Sequence, residues 1–550
     1  MQLCLVLLLA ALLGLAAAVP ATSSSSACSS HASCVECTES KCAWTTTSCV
    51  DVSASASASA SASASASASP ALTFDDQCSP VDVQSGADDD AGFLESWMGQ
   101  LVQLSPQATL LDISLPGTHD SLSYDLSLKV SDGGIDSLNK LAALLHMSTD
   151  VIPDSLEDYM RQQGQTQALT VRQQLDAGVR FLDLRAMYEY SDGDRKKKDD
   201  ARPSSSRWYS LHLLQSNGLF IDYLRQVRDW VVQHPSEVVV LWISKHGSEC
   251  AVGEDQYPKT PVEEKQQFWA EISLLFKGLL LDASAGHSPH TTPISELVAT
   301  GERVVIYAAD WAEFTNKSPL ALDSCASLTN YLGPGVANET AAVQWERELF
   351  ASFGVGSPTR TAAKADNRFL LMSLSTAVPS SQMELAAVIK YVPGKNRESE
   401  KKCAEAFHIP GLASCPQTLL DVAQLENYYK QLTLNDVVAQ RDYGFPNAIY
   451  INAVDFAGTI RTGTQVLWGK DRSSSDAAHA TSAYAYADAI IAVNVRTLCA
   501  ASAASASAVA CSALEAKLAS RRAQHPFALW DDEALGRKTE WPGVIPAQST

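Results

Sequence analysis

From Phe93 onward the chain repeats one pattern, in which a short, almost wholly apolar run is followed by a longer polar or amphipathic stretch. The runs are Leu110 to Leu115, Gly178 to Leu184, Tyr209 to Leu214, Val238 to Ile243, Arg303 to Ala308, Arg368 to Leu374 and Ala448 to Val454. A strand with one wet face alternates apolar and polar residues, so runs apolar at most positions predict parallel strands covered on both faces. Amphipathic segments such as Phe220 to Gln233 supply the covering helices. Seven or eight such units in series predict an α/β fold, a distorted (β/α)8 TIM-type barrel with its site at the C-terminal strand ends. An open doubly wound sheet is the competitor, but no Gly-rich phosphate loop follows the first run.

What precedes the barrel is of another kind. Residues 3–19 are an unbroken apolar run ending in small residues, the pattern of a secretory signal peptide spanning 1–18. Residues 28–50 form a cysteine-rich module, Cys28-x5-Cys34-x2-Cys37-x4-Cys42-x6-Cys49, too short to build a core without covalent staples. Residues 51–92 read as a linker, with a strict Ser-Ala alternation from Ser53 to Ser69 and the acidic Asp88-Asp89-Asp90 near its end. The barrel is expected over 93–525, with a tail over 526–550.

Thirteen cysteines are present; removal of Cys4 with the leader leaves six early and six late. Even counts in both blocks fit disulfides formed in an oxidising compartment, so the chain is expected to be secreted. Charge narrows the partners. With 41 basic against 62 acidic side chains, the net charge of −21 excludes a sequence-independent nucleic-acid binder, whose affinity comes from basic groups on phosphates. Docking on anionic lipid by charge alone is excluded too. Contact with the membrane surface is expected to be transient and apolar, through exposed aromatics on barrel-rim loops. The basic run Arg195 to Lys198 reads as solvated, being partly cancelled by Asp199-Asp200.

The chemistry concentrates in three places. Asp112 to Ser121 reads as a strand end, a Pro116-Gly117 turn and a presented His119-Asp120 pair. In Gly178 to Arg185, Asp183 and Arg185 share a face because strand side chains alternate. His212 lies inside the apolar run Leu211-His212-Leu213. His246, His287, His290 and His408 have no such company and read as surface residues.

Leu115-Pro116-Gly117-Thr118-His119-Asp120-Ser121, followed by Arg180-Phe181-Leu182-Asp183-Leu184-Arg185, resembles the X domain of phosphatidylinositol-specific phospholipase C. It is most similar to the bacterial-type branch and its X-domain-only relatives. Glu237 to Lys245, Lys364 to Leu370 and Ile449 to Phe456 resemble later strands of that family in order. The cysteine module partly resembles a plexin-semaphorin-integrin (PSI) module, although Cys42-Ala43-Trp44-Thr45 lacks the usual second cysteine.

The resemblance implies a two-histidine phosphodiesterase. His119 would be the general base on the inositol 2-hydroxyl, with Asp455 holding its tautomer. His212 would protonate the leaving glycerol oxygen, oriented by Asp120. Arg185 would clamp the phosphodiester, with Asp183 supporting it on the substrate-binding side and Lys245 contacting the inositol or phosphate. A fixed guanidinium at Arg185 stands where a calcium-dependent relative would need acidic ligands, so neither metal nor other cofactor is expected. The expected substrate is phosphatidylinositol or a glycosylphosphatidylinositol, giving diacylglycerol and a cyclic inositol phosphate. Two alternatives remain open: a metal-dependent glycerophosphodiester phosphodiesterase-like barrel, and a non-catalytic lipid- or glycan-binding barrel carrying an adhesion module.

Overall fold

The structure, a computed structural model, describes residues 91–130, 161–189, 207–212, 214–244, 260–332, 339–354, 357–375, 443–454, 476–501 and 507–524, plus isolated positions between 419 and 438. Two compact units divide the chain, 1–82 and 83–550. In the first, the described residues are a two-stranded antiparallel ladder pairing Ala43–Trp44 with Cys49–Val50. The linker alternation, the basic run, His246 and His408 lie outside the described residues.

The second unit is built on eight parallel strands, β1 (Leu115–Thr118), β3 (Phe181–Tyr188), β6 (Val239–Ser244), β7 (Val304–Ala308), β8 (Leu322–Asp323), β9 (Leu328–Leu332), β10 (Phe369–Ser373) and β11 (Ala448–Ile451). Their ladder order is β8-β7-β6-β3-β1-β11-β10-β9, so neighbours in space are neighbours in sequence all the way round. Each neighbouring pair is parallel, as a βαβ repeat requires. That is the strand order of a barrel with one open seam: among the described residues no ladder joins β8 to β9, which a short helical turn, Ser324–Ser327, connects.

Burial explains why the strands read as apolar throughout. Leu182, Leu184, Val239, Leu241, Ile243, Val304, Ile306, Leu370 and Ile449 face outward into one core, against helices that include α1 (Val171–Asp176), α2 (Phe220–Gln233) and α3 (Val262–Leu275). Phe181, Val240, Trp242, Val305, Tyr307, Phe369, Leu371, Ala448 and Tyr450, their alternate neighbours, fill the interior in a second core. At its base Arg180 and Glu237, both fully buried, form an ion pair at 2.8 Å. Arg180 also donates to the carbonyls of Leu94, Leu175 and Val179, and Glu237 accepts from the Met98 and Gly99 amides, so neither charge is left unmatched.

Four expectations are corrected. Leu110 to Ser114 precede the first strand, and Pro116-Gly117 lie within it rather than turning the chain. Gly117 is needed there, since a Cβ would lie 2.8 Å from the Ile449 carbonyl oxygen and 3.0 Å from the Phe181 ring. Tyr209 to Leu214 is not a barrel strand. It is the tight hairpin of β4 (Trp208–His212) and β5 (Leu214–Leu219), which with β2 (Leu126–Val130) makes an antiparallel ribbon on the end of β3. The places left over are taken by β8 and β9, which the apolar pattern did not mark. His290 is buried rather than exposed, its Nε2 3.0 Å from the Tyr307 hydroxyl.

Candidate active site

The site stands where β1, β3 and β11 end and the ribbon begins. His119 follows β1 directly, and its amide continues the ladder by donating to the Ile451 carbonyl at 3.0 Å. Asp120 then takes a left-handed backbone, φ 45°, which is uncommon for a residue with a side chain and turns the chain sharply. Two hydrogen bonds to Asp183 hold the turn: the Asp120 amide to Oδ2 at 3.2 Å and the Ser121 amide to the carbonyl at 2.9 Å. The two sequence motifs are thus joined backbone to side chain.

Arg185 fixes the tautomer of His119. A guanidinium only donates, and its Nη2 lies 2.7 Å from His119 Nε2, so that nitrogen must carry the lone pair. The proton therefore sits on Nδ1, which donates to Asn452 Oδ1 at 2.8 Å. Asp455 and Lys245, expected as partners of His119 and of the headgroup, lie outside the described residues. Asn452, one residue beyond β11, was not singled out from the sequence; its only signal was its place at a strand end.

His212 arrives from the ribbon, at the turn between β4 and β5. Its Nδ1 donates to the Gly164 carbonyl at 2.5 Å, leaving Nε2 3.3 Å from Asp120 Oδ2. Gly164 has no alternative here, because a Cβ would stand 2.6 Å from the His212 carbonyl oxygen. Asp120 in turn meets Arg185 Nε through its other oxygen, Oδ1. One buried carboxyl therefore bridges the guanidinium and the second imidazole. The two histidine rings are 6.3 Å apart, edge to face.

The polar segment 161–170 supports this group from behind. Thr166 Oγ1 and Gln167 Nε2 each donate to the His119 carbonyl at 2.9 Å, and Gln167 Nε2 also donates to the Ile451 carbonyl at 2.8 Å. Gln167 Oε1 accepts from the Val454 amide at 3.2 Å. Both side chains are fully buried. Ala453, between Asn452 and Val454, is itself left-handed at φ 48°, so two strained residues flank the base. Neither Thr166 nor Gln167 carries a sequence signature that separates it from an exposed polar loop.

Burial sets the charges. Removal from water holds the His119 pKa well below its usual value, reinforced by the positive charges of Arg185 and Lys430 and by that of His212 whenever it is protonated. His212 is brought down to about 4 by burial and Arg185. Burial pushes Asp120 up to about 7 against the pull of Arg185, and Asp183 likewise to about 7. The site at mildly acidic pH thus holds neutral imidazoles beside protonated carboxyls. Lys430, buried on a helical position before β11, is a second cation acting on His119 that sequence reading did not identify.

His119, Asp120 and Asp183 offer ligand atoms within 4.8 Å of one another, a spacing able to hold a metal ion. The guanidinium of Arg185 already stands among them, touching Asp120 and 3.7 Å from Asp183 Oδ2. A second group of that kind, Glu95, Asp176 and His234, lies away from the site, with His234 Nε2 3.2 Å from Glu95 Oε2 and Asp176 Oδ1 accepting from Trp230 Nε1. No helix among the described residues is long and apolar enough to cross a membrane.

Residues 160–257 match the family model of the PI-PLC X domain, "PI-PLC X 1". That segment includes Asp183, Arg185, His212 and Lys245, while His119 and Asp120 precede it and Asp455 follows it. PI-PLC X domain-containing protein 1 of Mus musculus is 32% identical over 145 residues, covering 26% of this chain and 37% of that protein. Its Homo sapiens counterpart is 30% identical over 147 residues, covering 27% and 41%. The chain therefore aligns with about two-fifths of the length of these relatives. Among solved structures, phosphatidylinositol-specific phospholipase C from Listeria monocytogenes matches at a TM-score of 0.36 and 15% identity, covering 66% of this chain and 93% of that one. A Staphylococcus aureus phosphatidylinositol-specific phospholipase C matches at 0.41 and 13%, covering 73% and 98%.

Proposed function

We propose that this chain, whose residues 160–257 match the PI-PLC X domain model, is a secreted phosphodiesterase of the phospholipase C type. In this reading it cleaves phosphatidylinositol or glycosylphosphatidylinositol headgroups by two-histidine acid–base chemistry. The observation that carries the reading is the shared carboxyl: Asp120 joins Arg185 to His212, while Arg185 reaches the lone pair of His119.

The step balances within these groups. The substrate phosphate draws the Arg185 guanidinium onto its oxygens, which frees His119 Nε2. The hydroxyl adjacent to the phosphate gives its proton to Nε2 as its oxygen bonds phosphorus. The phosphorus bond to the glycerol oxygen breaks, and that oxygen takes the proton held between Asp120 and His212. The products are diacylglycerol and a cyclic inositol phosphate. Attack within one molecule needs positioning more than activation, which suits a base held by Asn452, Thr166 and Gln167. Arg185 meets the charge that grows on the phosphoryl oxygens.

Turnover of phosphatidylinositol in detergent micelles tests the reading. His119→Ala and His212→Ala are each expected to lower kcat by at least about a hundredfold, the lower range for a general acid or base, with the fold kept. Arg185→Lys is expected to lose activity too, because an ammonium cannot serve both carboxyl and phosphate. Unchanged turnover in both histidine variants would remove the two-histidine mechanism. A second reading, metal-dependent hydrolysis, has one observation in its favour, the ligand spacing of His119, Asp120 and Asp183. Loss of wild-type turnover on adding EDTA would favour it.

A further inference from the structure

The mechanism makes no use of the long C-terminal helix α4 (Asp476–Ala501), yet two of its buried side chains bond the backbone of the strand that leads into His119. Asn494 clamps Ser114: its Oδ1 accepts from the Ser114 amide and its Nδ2 donates to the Ser114 carbonyl, each at 2.7 Å. Tyr486 reaches the ladder itself. Its hydroxyl lies 2.7 Å from the Ile449 carbonyl oxygen, 3.2 Å from that of Gly117 and 3.3 Å from the Gly117 amide nitrogen. Burial raises the Tyr486 pKa, so the hydroxyl keeps its proton to donate. The spacings match: from Tyr486 to Asn494 the helix rises about 12 Å, and from Ser114 to Gly117 the chain advances about 10 Å. The helix therefore lies along β1 and holds it at two points.

Ordinary packing does not need this hydroxyl. Ile490 and Val493, between the two polar contacts, bury apolar side chains against the same core. β1 and β11 are already paired here, Gly117 opposite Tyr450, so the hydroxyl is added to a ladder rather than completing one. What it adds is a tie across one seam. Beyond Gly117, β1 leads to His119; beyond Ile449, β11 leads to Asn452. These are the base and the acceptor of its Nδ1 proton, 2.8 Å apart. A hydrogen bond of that length weakens with a small slip between the strands that carry its two ends. The helix is itself anchored: Asp488 accepts from Arg521 of α5 (Ser507–Gln524) at 3.0 Å, both buried, and Cys499–Cys511 joins the same two helices.

We propose that Tyr486 is a positioning residue for the base: its hydroxyl fixes β1 against β11 and so holds His119 on Asn452. Its effect on turnover rests on the phospholipase reading, but its first readout is the base alone. In full-length protein carrying isotope-labelled histidine, the Nδ1 proton of His119 is followed by NMR as a resonance missing in His119→Ala. Tyr486→Phe keeps the ring and removes the hydroxyl. Ile490→Val, in the same helix and also buried, loosens the packing at a side chain that can make no hydrogen bond. Tyr486→Phe is expected to speed exchange of the Nδ1 proton with water by about tenfold, as loss of one buried hydrogen bond implies. On phosphatidylinositol it is expected to lower kcat by about tenfold with KM within about twofold, because a misplaced base is felt in the transition state. Ile490→Val is expected to leave both exchange and kcat within about twofold of wild type.

Exchange within about twofold of wild type in Tyr486→Phe overturns the inference, whatever turnover does. Equal acceleration in Ile490→Val also overturns it, by making the effect one of helix packing. Faster exchange in Tyr486→Phe with kcat unchanged in an active enzyme overturns it as well, since the tie would then not position the base. Faster exchange in Tyr486→Phe alone, with no cleavage of phosphatidylinositol by the wild type, upholds the tie and removes the phospholipase reading.

Discussion

At the residue scale the site inverts the usual protonation of its groups. In the unfolded chain near pH 5.5 two histidines are charged and two aspartates are ionised; in the fold the imidazoles of His119 and His212 are neutral and Asp120 and Asp183 hold the protons. A depressed histidine pKa makes stability fall as pH drops below 6.5, and a raised aspartate pKa makes it fall as pH climbs above 3.8. The two slopes oppose each other between about 4 and about 6.5, so the site contributes little net pH dependence there. Asp120→Asn removes one carboxyl proton from the fold. Its stability is expected to rise with pH across that window by about 1.4 kcal/mol per unit relative to wild type, read from denaturant melts. Equal slopes in both proteins would contradict this protonation pattern. Activity follows the same groups: with the acid at about 7 and the base far below, kcat/KM is expected to fall as pH rises above about 7. Asp183, Arg185 and His212 were legible as charged or polar residues in apolar runs, and His119-Asp120 as a pair presented just after one. Asn452, Thr166 and Gln167 were not, because neutral polar residues at strand ends and in loops look the same whether they hold a base or face water.

At the element scale, what misled the apolar pattern was length and topology rather than composition. Tyr209 to Leu214 reads much like a barrel strand, yet its burial is uneven because one face of the ribbon is open. The strand at Leu328–Leu332 was invisible because Thr329 and Asn330 break its run, and Leu322–Asp323 is only two residues long. The remaining parallel strands were legible because both their faces are buried. The Arg180–Glu237 pair shows why a charged residue persists at the start of such a strand: it neutralises a carboxylate that caps the Met98 and Gly99 amides. Removing one partner strands a buried charge, so Glu237→Leu is expected to cost about 3–5 kcal/mol. A loss under about 1 kcal/mol in a denaturant melt would show that the pair is not what closes the barrel base.

At the scale of the whole molecule, compartment and surface charge matter most. The long C-terminal helices α4 (Asp476–Ala501) and α5 (Ser507–Gln524) are stapled by Cys499–Cys511, and Cys325 is also disulfide-bonded. Secretion, as proposed, would supply the oxidising compartment in which such bonds form and persist. With a net charge of −21, attraction to anionic lipid is expected to be apolar rather than electrostatic, so vesicle binding is expected to change little between low salt and about 0.5 M salt. A steep loss with salt would place a basic surface where the composition gives no reason for one.

The measurement that bears most directly on the two-histidine account is phosphorus NMR of purified protein with phosphatidylinositol in detergent, with and without EDTA, beside His119→Ala. The account expects a cyclic phosphodiester resonance that survives EDTA and is missing in the variant. A non-cyclic phosphomonoester as the first product, or a cyclic one that persists in His119→Ala, would contradict it.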